Sequence, residues 1–251
     1  MLIRKGFLTV FKSPYVALTL VPMLWGSNFI VGKQLVGTFP PFTLTTGRFG
    51  IAFLCLLPVL LIYRRKHKAD KLSAKTWGLL MFLGLTGIFA FNTLLYEGLK
   101  HTSPVNATLI NAFNPVLTVI LSVFILGEKL WGKQIFGLVL SVIGVAWIAV
   151  QGQPERFLRM TFNPGDLIIL VGALVWAIYS IGVKKVVNTV PPMITTTLTM
   201  FFGLILLLPA SYIELKVHPA GSMTWKNILA LILWGVVWGT KRKINLPESD
   251  A

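Results

Sequence analysis

The chain has 251 residues, of which 55% are hydrophobic and only 12% are charged, and its mean hydropathy is +0.77. A soluble domain carries roughly 25% charged residues, so this composition excludes an ordinary soluble protein and indicates an integral membrane protein. The net charge of +15 is not a nucleic-acid-binding pattern, because the basic residues follow the short segments between apolar runs. The single cysteine, Cys55, excludes an internal disulfide, and the sequence predicts neither a metal site nor a cofactor.

Apolar runs of about 17 to 25 residues, the length of a membrane-spanning helix, recur along the whole chain. They lie at 15–33, 42–62, 77–97, 103–125, 132–150, 166–183, 193–212 and 225–240. The basic N-terminus leads into the first run without a small-residue cleavage site, so we predict a spanning helix there and not a signal peptide. The sequence therefore predicts an all-α integral membrane protein with eight transmembrane helices.

The distribution of Lys and Arg predicts the orientation of these helices, because cytoplasmic loops carry an excess of both residues. With the N-terminus inside, 16 of the 23 Lys and Arg residues lie in cytoplasmic segments, six lie in outer segments, and Arg48 lies within the second span. We therefore predict a multi-pass protein of the plasma membrane whose N-terminus is cytoplasmic. The positive charge then reflects topology more than a binding partner.

The sequence contains an internal repeat at an offset of 151 residues, which aligns Trp25 with Trp176. Residues 25–62 and 176–213 share 13 identities in 38 ungapped positions. The first unit contains five predicted spans, an odd number, so its copy must enter the membrane from the opposite side. Such inverted repeats are typical of secondary transporters.

The repeat also predicts how the chain is divided. We expect a first repeat of five transmembrane helices over 1–151, an incomplete second repeat of three over 166–240, and a polar cytoplasmic tail over 241–251. Counterparts of the fourth and fifth spans would fall beyond residue 251, the last of the sequence. The expectation is therefore an inverted-topology bundle of ten-helix design that is truncated after eight helices.

Several segments resemble the EamA-type transporters of the drug/metabolite transporter superfamily, and their order and spacing carry the resemblance. They are Trp25-Gly26-Ser27-Asn28-Phe29, Arg48-Phe49, Asn114-Pro115-Val116-Leu117, Leu126-Gly127-Glu128-Lys129-Leu130, Gln134-Ile135-Phe136-Gly137, Gly144-Val145, Gly165-Asp166-Leu167 and Trp176-Ala177-Ile178-Tyr179. The resemblance implies a ten-helix bundle with a central cavity between inverted halves. It also implies transport of small metabolites without ATP, often as efflux, by alternating access.

Arg48 is the strongly charged residue that lies well inside a predicted span, which makes it a candidate for the substrate pathway. It lies about six residues, or roughly 9 Å of helix rise, from the outer end of its span. An interfacial anchor with a snorkelling side chain is therefore the alternative.

Glu97 is a candidate partner for Arg48 or Lys100, or a solvated residue at a helix end. Glu128 is expected to pair with its neighbour Lys129 in a loop.

Amide side chains within the spans are expected to point into the bundle, because an amide without a hydrogen-bond partner in the hydrocarbon core costs free energy. They are Asn28, Asn92, Asn106, Asn111 and Asn114. Asn111 and Asn114 share one helix face, and Pro115 opens the backbone beside them. These amides either line a substrate pathway or only join helices.

Three aromatic residues, Trp25, Trp176 and Tyr179, are candidates for the wall of a cavity, with ordinary packing as the alternative. The predicted pathway therefore consists of these aromatics, Arg48 and four of the amides. They are Arg48, Asn28, Trp25, Asn92, Asn111, Asn114, Trp176 and Tyr179.

An enzyme is the rival class, but all three histidines lie in or beside loops and no phosphate-binding glycine motif is present. We therefore predict no enzymatic activity. A third alternative is an inactive, truncated fragment of a transporter. The expected partners are the lipid bilayer and a small-molecule metabolite, and no nucleic acid is expected. The sequence does not decide between a monomer and a homodimer.

Overall fold

A computed structural model describes residues 14–66, 72–150, 152–153, 155, 163–187, 189–219, 221 and 224–240. These residues form eight helices and no strand. The helices are α1 (Pro14–Leu35), α2 (Pro41–Lys66), α3 (Ala74–His101), α4 (Pro104–Leu126), α5 (Gly132–Ala149), α6 (Pro164–Val186), α7 (Pro192–Val217) and α8 (Trp225–Thr240). The predicted tail over 241–251 lies outside the described residues.

The described part of the chain contains five helices that are long and apolar enough to cross a membrane, judged by length and composition. These are α2, α3, α4, α6 and α7. Helix α5 contains a shorter apolar stretch, Gly132–Ile148. The prediction of an all-helical membrane protein is therefore confirmed for these residues, whereas eight crossings stay a prediction.

Local sequence signals explain where several helices begin and end. The side chains of Ser73, Ser103 and Asn163 accept hydrogen bonds from the first turns of α3, α4 and α6. Proline follows in the first turn of α4 and α6, where a missing N–H costs nothing. Gly127 ends α4 with a φ of 66°, a left-handed conformation that glycine adopts without strain.

Helix α3 is interrupted by a π-helical segment, Gly84–Ala90, between the α-helical parts Ala74–Leu83 and Phe91–His101. Asn92 follows this segment, and its Nδ2 donates hydrogen bonds to Gly87 O at 2.8 Å and Ile88 O at 3.2 Å. One amide therefore satisfies two carbonyls of the wider turn. Its oxygen is left to accept a hydrogen bond from another helix.

Helix α3 packs closely on both α6 and α7 through glycines. A Cβ atom added to Gly165 of α6 would lie 2.6 Å from the carbonyl oxygen of Gly98. One added to Gly84 would lie 2.9 Å from the backbone nitrogen of Gly203 in α7. Such backbone approaches are typical of helix packing in membranes, where small residues let helices meet. They hold α3 against both helices.

Polar contacts join the helices at the end of the bundle that contains Thr43, which we call the Thr43 end. The Glu214 carboxylate of α7 accepts hydrogen bonds from Phe42 N at 3.1 Å, Thr43 N at 2.8 Å and Thr43 Oγ1 at 3.0 Å. A carboxylate at this position accepts hydrogen bonds from the free N–H groups at the start of α2, and its negative charge interacts favourably with the dipole of that helix. Glu214 therefore ties α7 to the first turn of α2.

A second polar contact at the Thr43 end joins α3 to α6. Thr102 Oγ1 donates to the buried carboxylate of Asp166 at 2.5 Å. Lys33 of α1 donates to the carbonyl oxygens of Leu99 at 2.6 Å and Thr102 at 2.9 Å, where α3 ends.

The opposite end of the bundle, where α2 ends and α7 begins, contains a cluster of buried apolar side chains. Those include Leu56, Leu60, Leu80, Leu83, Val186, Val190, Met193 and Ile194.

Candidate functional site

A cavity of about 650 Å³ lies among α1, α2, α3, α4, α6 and α7. Small-molecule sites in proteins occupy roughly 300 to 1,000 Å³ and are mostly apolar with a few placed polar groups. This cavity has the same character, with an arginine network on one side, a group of aromatic rings and a row of amides. It is therefore the candidate functional site.

All eight residues that the sequence singles out for a pathway line this one cavity. They are Trp25, Asn28, Arg48, Asn92, Asn111, Asn114, Trp176 and Tyr179. Asn106 is not among the lining residues of the described chain, and its backbone N–H binds Ser103 Oγ at the start of α4. The structure thus brings the predicted residues together, while their role in transport stays a prediction.

The guanidinium of Arg48 lies inside the bundle, since the residue is only 1% exposed. Its Nη1 donates to Asn28 Oδ1 at 2.6 Å and to the Tyr96 hydroxyl, and its Nη2 donates to Asn92 Oδ1 at 2.8 Å. The guanidinium carbon also lies 4.7 Å from the centre of the Phe49 ring. This geometry differs from that of an interfacial anchor, whose charged group would reach the bilayer surface.

The arginine network is an energetically costly feature of the fold. Burying a guanidinium is unfavourable unless charge-assisted hydrogen bonds and aromatic faces compensate for lost hydration. Here α1 supplies Asn28, and α3 supplies Asn92 and Tyr96. Sequence reasoning missed Tyr96, which follows Asn92 by one helical turn. Ionisable groups retained at membrane depth are typical of functional sites.

Glu97 does not contact Arg48 in the structure. Its carboxylate lies 2.9 Å from Lys100 Nζ and 3.6 Å from His101 Nε2, and all three side chains are partly exposed at the end of α3. Of the two predicted partners, Glu97 therefore pairs with Lys100 and not with Arg48, in a partly exposed position at the helix end.

Four aromatic rings form one wall of the cavity, which we call the aromatic wall. The Trp176 ring centre lies 6.2 Å from that of Trp25, 4.6 Å from that of Phe91 and 5.0 Å from that of Tyr179. Gly87 makes room for this group, because an added Cβ atom there would lie 2.3 Å from the Tyr179 ring. The π-helical segment of α3 therefore shapes the cavity as well as orienting Asn92.

The amides of α4 form a short hydrogen-bonded row in the cavity wall. Asn111 Nδ2 donates to Ala107 O at 3.1 Å, and Asn114 Nδ2 donates to Asn111 Oδ1 at 3.0 Å. They lie where α4 turns at Phe113, between the segments Pro104–Ala112 and Asn114–Leu126. Asn114 Oδ1 is buried and accepts no hydrogen bond from the described residues.

Lys184 is a lining residue that sequence reasoning did not place in the cavity. Its Nζ lies 3.2 Å from Glu128 Oε2 and 3.3 Å from Ser122 Oγ. The expectation that Glu128 pairs with Lys129 is therefore wrong, because the ends of α4 and α6 lie side by side and bring Lys184 to Glu128. Nothing in the local sequence reveals a partner 56 positions away.

The charge of the cavity lining is positive. Arg48 and Lys184 are lining residues, whereas the described lining contains no Asp or Glu. The described residues also contain no group of three or more His, Cys, Asp or Glu side chains placed to hold a metal ion. The arrangement is therefore suited to binding a small molecule by hydrogen bonds, ring contacts and positive charge.

Comparison with known proteins gives matches over nearly the whole chain. Residues 12–150 and 163–240 match the model of the EamA-like transporter family. The "Uncharacterized transporter YyaM" of Bacillus subtilis (strain 168) is 36% identical over 223 residues, which cover 89% of this chain and 70% of that protein. The "Uncharacterized transporter YetK" of the same organism is 28% identical over 200 residues, which cover 80% of this chain and 60% of YetK.

A further relative is named "Probable terminal-alkyne amino-acid exporter", from Streptantibioticus cattleyicolor. It is 25% identical over 242 residues, which cover 94% of this chain and 78% of that protein. A solved crystal structure matches the fold with a TM-score of 0.62 at 20% identity, covering 94% of this chain and 78% of that one. The names of these relatives indicate a transporter and not an enzyme.

Proposed function

Because the chain belongs to the EamA-like transporter family, we propose that this multi-pass membrane protein carries small metabolites across the plasma membrane through the cavity described above. One observation carries the proposal. The eight residues predicted for a pathway come from five helices far apart in sequence, and they all line the same cavity. A space of about 650 Å³ that is lined by a guanidinium, amides and aromatic rings offers the kinds of contact by which proteins hold small molecules.

The proposed mechanism is alternating access between inverted halves, the first over 1–151 and the second over 166–240, within a ten-helix design. The identities between 25–62 and 176–213 support it, and both halves contribute to the cavity wall. The two ends of the bundle also differ, since polar contacts of Glu214 and Asp166 join the Thr43 end, whereas the opposite end combines a buried apolar cluster with the Glu128–Lys184 ion pair. The name of the exporter among the relatives favours efflux.

The proposed orientation makes a prediction about two loops. We expect a reporter fused after Ser73, between α2 and α3, to stay in the cytoplasm, and one fused after Gln153, between α5 and α6, to be exported. Paired alkaline phosphatase and fluorescent-protein fusions report the two locations. Export at Ser73 together with retention at Gln153 would reverse the orientation and place the Thr43 end in the cytoplasm.

Water access to the cavity is a second prediction, and α4 offers a matched pair of alanines. Ala112 lines the cavity, whereas Ala107 is 0% exposed among neighbouring helices. In a background with Cys55→Ser, we expect Ala112→Cys to react with a membrane-impermeant thiol reagent and Ala107→Cys to be protected. Reaction rates measured by mass shift in sealed and opened vesicles provide the readout.

A third position controls for exposure to lipid instead of water. Phe124 lies on the same helix and is 81% exposed, on a surface that faces the bilayer in the proposed arrangement. We expect Phe124→Cys to react slowly, since a charged reagent does not enter hydrocarbon. If Ala112→Cys were protected as fully as Ala107→Cys, the cavity would hold no water path and the proposed function would be overturned.

A further inference from the structure

Building on the proposed transport function, we infer that the cavity selects organic anions, with the anionic group directed to Arg48 and a flat apolar body held against the aromatic wall. The inference concerns the charge and shape of the substrate, which neither the family nor the names of the relatives assign to this chain. It follows from three separate properties of the lining.

The first property is charge. The described lining contains two cationic side chains, Arg48 and Lys184, and no carboxylate. Four acidic residues of the described chain lie outside the lining, and each has a partner. Glu97 pairs with Lys100, Glu128 with Lys184, Asp166 with Thr102, and Glu214 with the start of α2. Since Glu128 partly offsets Lys184, Arg48 dominates the field, and in an apolar site that field favours an anion.

The second property is the orientation of the guanidinium. Three side chains from two other helices, Asn28, Asn92 and Tyr96, hold it by hydrogen bonds to their oxygen atoms. A guanidinium that is already held in place loses little conformational entropy when an anion binds. The entropic cost of binding is therefore lower than at a mobile surface lysine. Arginine also matches the planar geometry of a carboxylate.

The third property is the shape of the opposite surface. Trp25, Phe91, Trp176 and Tyr179 provide ring faces and edges for a flat apolar group. A positively charged amine would meet the repulsion of Arg48, which the neutral amide side chains of the lining do not offset. A monoanion therefore fits better than an amine or an amino-acid zwitterion.

Four compounds with one ring and one chain length separate these cases. They are 3-(4-hydroxyphenyl)propionate, its amide, tyramine and tyrosine. Binding of the radiolabelled acid to the purified protein in lipid nanodiscs is measured, and the unlabelled compounds compete. We expect the acid to compete at least about tenfold better than the amide, a difference of roughly 1.4 kcal/mol, and tyramine not to compete.

Charge-changing variants test the assignment to Arg48. Arg48→Gln is expected to remove the preference for the acid over the amide, and Arg48→Lys to retain part of it. Lys216→Met is the matched control, because it removes a cation that lies 4.5 Å from the Tyr212 ring, outside the cavity lining. Should Arg48→Gln fail to fold, the comparison of acid with amide on the unaltered protein still decides the charge preference.

The outcomes separate this inference from the proposed function. Equal competition by acid, amide and amine would overturn anion selection, as would the absence of binding by all four compounds, while reaction at Ala112→Cys would still support the water-filled cavity. Protection of Ala112→Cys would instead overturn the transport proposal itself. Better competition by tyrosine than by the acid would show that the site takes a zwitterion.

Discussion

Replacement of Gly165 by alanine is expected to destabilise the protein by about 3 kcal/mol, the upper part of the range for an overpacked core. The added Cβ atom would lie 2.6 Å from Gly98 O, 2.8 Å from Thr102 N and 2.9 Å from the carbonyl carbon of His101. All three are backbone atoms of the end of α3 and the turn after it, so no side chain can rotate away. The only relief is to separate α3 from α6, which also widens the cavity between them.

Gly137 of α5 provides the matched control, because an added Cβ atom there meets no atom within 4 Å. Gly137→Ala is expected to be neutral or to stabilise by up to about 1 kcal/mol, since alanine is the better helix former. Unfolding in mixed detergent micelles, followed by circular dichroism, gives both free energies. Equal stability of the two variants would contradict the close approach of α3 and α6.

Asn92→Leu is the second variant for which we expect a large effect, a loss of about 3 kcal/mol in the free energy of unfolding. Asn92 is 3% exposed, accepts from Arg48 Nη2, and donates to Gly87 O and Ile88 O of the π-helical segment. A hydrogen bond to a charged group contributes roughly 1.5 to 3 kcal/mol, and buried groups left without a partner add to the cost. Leucine restores none of these bonds.

Asn111→Leu makes the same substitution where no charge is involved. Asn111 binds Ala107 O and Asn114, and it is only partly buried beside the cavity, where the water of the proposed pathway would replace a lost partner. We expect a cost of about 1 kcal/mol or less by the same unfolding measurement. If both variants cost the same, the arginine network would contribute no more to stability than an ordinary pair of amides.

Much of this molecule follows from local properties of the sequence. The apolar runs place the helices, because a bilayer requires long stretches of apolar residues whose backbone groups bond within the segment. Ser103 and Asn163 mark helix starts for reasons contained in a single turn. Arg48 and Asn92 stand out because polar groups in an apolar segment must face the protein interior. The sequence therefore predicted that these residues face a common interior space, although it did not predict the contacts between them.

The partners of those residues depended on the tertiary structure. An apolar run looks the same whether it faces lipid or protein, so the sequence did not show that Gly165 meets Gly98 or that Gly87 makes room for Tyr179. Glu128 binds Lys184 and not its neighbour, because the packing of α4 on α6 decides which charges meet. Helix composition is a local property of the chain, whereas the cavity is created by contacts between helices far apart in sequence.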